Sequence, residues 1–322
     1  MIIVRTPYRV SFFGGGTDYP SWYKEHGGAV LTGTIDKYCY LSVRYMPTFL
    51  GFKYNACWSK MERVNRLEDL EHSGVRGCLQ YMGINEGFEI NHAGDLPARS
   101  GLGSSSAFTV GMLHALHALK GRHVSKTQLA SEAIEVEQVV LKETVGIQDQ
   151  IQCAHGGFNH IEIHRDGQYN VSPVITGRKA SLESKLMLFF TGIQRHASEI
   201  ADSQVSNIER KEYELKSIQS LVPKALHAVT NGDLDDVGKL LHDTWTLKRE
   251  LSDKVSSPEI DKLYDSARAA GAIGGKLLGA GGGGFFLFYV PEDRQAAVRE
   301  SMNGLIDIPF KFEHGGSQVV LS

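Results

Sequence analysis

At 322 residues the chain is long enough for two domains of the usual size, about 100–200 residues each, and 42% hydrophobic with 22% charged residues is the balance of a globular, water-soluble protein. A formal net charge of −3 excludes a general attraction to nucleic acid or anionic membrane, so neither partner is expected and positive charge at any site has to be local. Cys39, Cys57, Cys78 and Cys153 are dispersed with no Cys-x-x-Cys pair, Arg5 and Arg9 interrupt the opening apolar run, and no apolar run reaches membrane-spanning length; a cytoplasmic protein with reduced thiols is expected.

In chain order, residues 2–4 and 8–13 read as strands around Pro7 that end in the turn Gly14-Gly15-Gly16. Arg9 sits among the strand residues, and Asp18 either hydrogen-bonds a polyol or finishes the turn. Residues 38–45, aromatic and β-branched, predict another strand. The most informative segment follows: Pro97-Ala98-Arg99-Ser100-Gly101-Leu102-Gly103-Ser104-Ser105-Ser106-Ala107. Two glycines allow a tight turn and close approach of a ligand. Phe108, Met112, Leu113, Leu116 and Leu119 then continue at helical spacing, so the serines stand at a helix start. Unpaired N–H groups and the positive end of the helix dipole favour a phosphate there. One serine would suffice as an N-cap; three after Gly-Leu-Gly exceed that need. No Gly-Lys-Ser/Thr follows, so this is not a Walker A loop, and Ser106 occupies the third-glycine position of a dinucleotide fingerprint.

Ser125 and Gln128 predict a capping box for a helix to about Lys142. On that helix Glu137 falls inside the apolar arc formed by Leu129, Ala133, Val136 and Val140. An inward carboxylate is costly unless it meets a cation or donors; the alternative is a boundary glutamate whose head reaches water. Asp149 follows in a short connection as a base, a charge partner or a turn residue. A turn near residues 156–157 leads to a hairpin strand, and the polar stretch 176–184 marks a domain boundary. A buried strand is expected at 186–190, then helical chain over about 197–251 broken near Asn231-Gly232. Ser257-Pro258-Glu259 starts a further helix that stops near Gly271. The glycine-rich run over 274–284 leads into a strand at 285–290, which suits a closely packed or functional loop better than a linker. His114 and His117 share a helix face with no nearby carboxylate in sequence, and Cys153-x-His155 has no matching pair, so no transition-metal site is expected.

Three segments in order, Thr6-Pro7-Tyr8-Arg9 through Gly16-Thr17-Asp18-Tyr19, Pro97 through Ala107, and Lys276 through Phe286, resemble the motifs of the GHMP family of small-molecule kinases. The resemblance implies an α/β (α+β) enzyme of two domains with the active site between them. The N-terminal half (1–180), like the second domain of ribosomal protein S5, binds ATP, and the C-terminal half (181–322) is ferredoxin-like. It implies that Pro97, Arg99, Ser100, Gly101, Leu102, Gly103, Ser104, Ser105 and Ser106 cradle the ATP phosphates, and that Ser105 and Glu137 hold Mg²⁺. Asp149 would face the acceptor hydroxyl with Arg9 beside it, and Gly15, Gly16, Thr17, Asp18 and Tyr19 would line the sugar site. Gly14-Gly15-Gly16 stands where galactokinases carry Gly-Glu-His, which argues against galactose. The runs 7–19, 34–38 and 190–195 resemble the members acting on phosphorylated heptoses, and fucose kinases share much of this pattern. The implied reaction is phosphorylation of an anomeric hydroxyl on a small sugar phosphate, with Lys37, Arg195 and Arg99 as cations for the acceptor's own phosphate. A non-catalytic sugar and ATP sensor is the alternative from another class, and a homodimer is left open.

Overall fold

The computed structural model describes residues 1–193 and 197–322. Its first half is organised by one strand of 18 residues, Gly28–Tyr45. One edge of that strand pairs antiparallel with Ile2–Phe13. The other edge is divided, residues 28–33 pairing with Phe158–Ile163 and residues 39–45 with Phe88–Gly94. With Tyr54–Cys57, Met61–Val64, Tyr169–Pro173 and Gln318–Leu321 these form an eight-stranded sheet. Ile2–Phe13 runs as one strand through Pro7, where the sequence suggests two. Gln318–Leu321 pairs only with Ile3, Val4 and Arg5, so among the described residues no strand lies on the outer edge beyond Arg5, a setting that tolerates a residue without an N–H. That open edge is where the functional loops dock.

Helices Ser104–Leu119 and Gln148–His155 pack on the two long strands, and Lys126–Glu135 packs on both helices. Phe12, Val110, Met112, Leu113 and Ile151 are buried in the layer between. Ser125 Oγ accepts from Gln128 N at 3.1 Å, while the Gln128 side chain donates to Glu132, so only half of the expected capping box forms. The helix expected to reach Lys142 keeps α geometry only to Glu135. Val136–Val140 widens into a π turn, with Leu141 N donating to Val136 O at 2.8 Å; such insertions favour functional positions. His117 does meet a carboxylate, Glu132 at 2.6 Å, that its own helix could not supply.

The second half holds a four-stranded antiparallel sheet of Ile306–Asp307, Leu186–Phe190, Phe285–Tyr289 and Gly274–Leu277. Gly274–Leu277 is a buried strand that the sequence hides, because a side chain at Gly274 or Gly275 would run into the helix Asp235–Arg249 or the strand Phe285–Tyr289. The helical stretch breaks at Asn231-Gly232 as expected, and again at the 3₁₀ turn Ile208–Lys211. Ser257 caps Pro258–Ala269 through Ile260 N. The end of the chain crosses back to the first half. Phe312 stacks on Phe158 at 5.1 Å, and Gln318–Leu321 returns to the first sheet.

Candidate active site

The serine loop is anchored to the open strand edge. Arg9 N donates to Leu102 O at 3.0 Å, and Arg9 Nη1 donates to Gly101 O at 2.7 Å. Leu102 is wholly buried and pins the loop to the core. Ser100 Oγ donates to Pro97 O, and Arg99 N donates to Ser104 Oγ at 3.1 Å. Pro97 and Arg99 are exposed. Gly103, left-handed at φ 70°, is the N-cap of Ser104–Leu119 and supplies no side chain to the first-turn N–H groups. Those donors, with the helix dipole behind them, suit an anion. Gly101 also lies against the second half: at φ +82° a Cβ there would stand 2.5 Å from Leu278 O. Gly101→Ala is therefore expected to cost roughly 1–3 kcal/mol of stability and to weaken nucleotide binding in step. Urea unfolding alongside nucleotide titration checks both, and an unchanged midpoint would contradict the packing account.

Directly beside this loop is a buried ion pair. Arg9, 4% exposed, grips Asp149 through Nε at 2.6 Å and Nη2 at 2.5 Å. The fork–fork geometry fixes both carboxylate oxygens. The Asp149 side chain keeps 25% exposure, so it can be reached while its direction is set. A Cβ at Gly103 would lie 3.4 Å from Asp149 Oδ2, so Asp149 stands next to the start of the serine-loop helix.

Glu137 lies in the π turn with 0% exposure. Burial, with Glu143 nearby, pushes its carboxyl up to about 8 against hydrogen bonds from Thr109, Ser106 and Gln150. Ser106 Oγ donates to Glu137 Oε2 at 2.9 Å, and Gln150 Nε2 donates to the same oxygen. Among the described residues, Glu137 Oε1 and Gln150 Oε1 are buried with no partner. The serine beside Glu137 is thus Ser106; Ser105, expected there, is exposed and its carbonyl accepts from Thr109. The Ser106 hydroxyl, the Glu137 carboxylate with its unpaired Oε1 and the unpaired Gln150 Oε1 form a hard-oxygen set that fits a small divalent cation.

On the acceptor side, Asp18 is buried and accepts from Gly16 N at 3.0 Å and Gln148 N at 3.3 Å. Burial and neighbouring Asp149 raise its carboxyl above the ordinary range. Gly146 leaves room for it, since a Cβ there would overlap Asp18 Oδ2. Asp18 therefore holds the start of the Asp149 helix. Gly15, Gly16 and Tyr19 are half-buried around it. Thr17 corrects the expected set: it is fully buried, and its hydroxyl is used on Gly14 O and the Ala29 backbone, so it shapes the turn. Lys37 pairs with Asp36 at 3.1 Å, not with the Arg9–Asp149 group. Arg195 lies outside the described residues. Lys248, which sequence reasoning passed over, and Lys276, which it named as the first residue of the third motif without giving it a role, lie buried where the second half meets this loop. A lysine within an otherwise apolar or glycine-rich buried run was the available signal.

Comparison with known proteins gives the family. The family descriptions "GHMP kinases N terminal domain" and "GHMP kinases C terminal" match residues 71–157 and 225–306, together just over half of the chain. The chain belongs to the GHMP kinase family. It is an ATP-dependent phosphotransferase, which accounts for a phosphate-suited helix start beside a fixed carboxylate. Among its relatives, the D-glycero-alpha-D-manno-heptose 7-phosphate kinase of Campylobacter jejuni is 28% identical over 97% of each chain. A bifunctional fucokinase/GDP-fucose pyrophosphorylase of Arabidopsis thaliana is 25% identical over 91% of this chain and 30% of that longer protein. A crystal structure of a D-glycero-D-manno-heptose 1-phosphate kinase from Bacteroides thetaiotaomicron superposes with a TM-score of 0.81 at 24% identity, covering 100% of this chain and 99% of the other; it has the same fold.

Proposed function

We propose that the protein transfers the γ-phosphoryl group of ATP to the anomeric hydroxyl of D-glycero-D-manno-heptose 7-phosphate, giving a heptose 1,7-bisphosphate for GDP-heptose and surface-polysaccharide synthesis. The single observation that carries the substrate is the end-to-end similarity to a heptose 7-phosphate kinase. Phosphoryl transfer depends mainly on alignment and charge stabilisation. The loop from Ser100 to Ser106 and the first-turn N–H groups hold the phosphates. Asp149, aimed by Arg9, accepts the hydroxyl proton as the new P–O bond forms, and the Arg9 fork fixes the direction of both carboxylate oxygens. Ser106 and Glu137 would hold Mg²⁺, which supplies positive charge to the phosphate oxygens. Asp18, with Gly15, Gly16 and Tyr19, borders the sugar.

Incubating the enzyme with ATP and a panel of phosphorylated and unphosphorylated heptoses, fucose and mannose, with products read by mass spectrometry, tests the assignment. The heptose 7-phosphate is expected to give the highest kcat/KM, with the new phosphate on C1. Equal efficiency on the dephosphorylated heptose would overturn the sugar-phosphate part of the proposal. Preference for fucose would favour the second reading, for which the likeness to the fucokinase speaks. A sensor without turnover has no use for Asp149 fixed at the phosphate cradle.

A further inference from the structure

Lys276 and Lys248 are 3% and 8% exposed. Among the described residues no carboxylate pairs with either of them: Lys276 Nζ donates to Phe12 O at 3.1 Å, and Lys248 Nζ donates to Leu277 O at 2.9 Å and to Gly279 O. A buried cation without a counter-ion is costly, and fixed carbonyls offset only part of that. The cost is concentrated at one place. Phe12 lies on the strand that carries Arg9, and Gly279 lies against Gly101 of the serine loop. Three cations (Arg9, Lys248 and Lys276) therefore converge on the junction of the two glycine loops, with Asp149 and Asp18 as the acids beside them. An ammonium has three donors, and Lys276 uses one.

We propose that Lys276, backed by Lys248, is a phosphate-binding group in the floor of the cleft, whose unused donors close on phosphate oxygens of the bound ligand. The inference rests on the phosphotransferase activity but not on the identity of the sugar. Burial, with Arg9 adding and Asp18 opposing, brings the Lys276 ammonium down to about 7, so an arriving anion both restores its charge and is held by it. The resting site carries less net charge than the occupied one, which eases the desolvation cost when the cleft is empty.

Two phosphates could be its partner, the chain of ATP and the acceptor's own, and two sugar-free or generic probes separate them. Thermal unfolding of the full chain is followed with Mg²⁺–tripolyphosphate, and then with mannose 6-phosphate added to the tripolyphosphate complex. The variants are Lys276→Met and Lys276→Gln; the glutamine can still donate to Phe12 O. Loss of a charge-assisted contact is expected to weaken the apparent affinity for one of the two probes by about 10- to 100-fold in both variants. Loss confined to tripolyphosphate identifies the transferring chain, and loss confined to mannose 6-phosphate identifies the acceptor's phosphate. Either result supports the site. The proposal is overturned if both variants keep both ligand shifts, or if glutamine restores wild-type behaviour while methionine only lowers the ligand-free midpoint; Lys276 is then a stitch between the sheets. Failure of the heptose assignment leaves these readouts untouched.

Discussion

Asp149→Asn is expected to lower kcat by roughly 10²–10⁴-fold while Mg²⁺–ATP binding stays close to wild type. The amide fills the same space and can still accept from Arg9 through its oxygen, but it cannot take the proton of the acceptor hydroxyl. The proposed nucleotide contacts lie on the serine loop and its helix, which the substitution does not touch. Arg9 loses its counter-charge while remaining buried, so stability should fall as well, by at most about 3–5 kcal/mol and by less than that bound because Asp149 is a quarter exposed. Single-turnover kinetics at saturating ATP separates the two effects. A near-normal kcat with a raised KM for the sugar would make Asp149 a positioning residue.

Glu137→Gln is expected to raise the Mg²⁺ concentration needed for half-maximal activity by about tenfold or more, with sugar binding retained. The carboxyl, pushed up to about 8 by burial and by Glu143, is mostly protonated at neutral pH, so the metal has to displace a proton. Mg²⁺ affinity of the wild type should therefore tighten as pH rises from 6 to 9, and the glutamine variant should lose that dependence. The stability linkage has the opposite slope. A folded-state carboxyl raised above its unfolded value contributes stability below about 4.5 that is lost as pH rises through 8; the variant should flatten this decline. Calorimetric titration of Mg²⁺ at three pH values, with proton release measured in two buffers, checks both. An unchanged Mg²⁺ titration removes Glu137 from the metal role.

Much of the site was legible because its signals are local. Gly-Leu-Gly-Ser-Ser-Ser before an apolar period of 3.6 announces a loop running into a helix, and the helix begins at Ser104 as that pattern requires. Glu137 declared itself by pointing into its own helix's apolar arc, and it is fully buried. The strand Gly274–Leu277 did not, because its glycines answer to the helix and strand on either side and carry no β-propensity of their own. Thr17 looked like a polar cleft residue, yet its hydroxyl is consumed by backbone groups of a turn that composition does not reveal.

The sequence by itself determined the phosphate-suited loop, the order of the motifs and the inward direction of Glu137, since each depends on residues within a few turns of one another. Tertiary structure alone decided which groups meet. Arg9 and Asp149 are 140 residues apart, and Lys276 reaches Phe12 across 264; no periodicity spans such distances. The choice of Ser106 over Ser105 beside Glu137 is of the same kind. Neighbouring helix residues differ by about 100° in direction, so three adjacent serines point three ways, and only the packing of the π turn against that helix selects the one that faces the carboxylate.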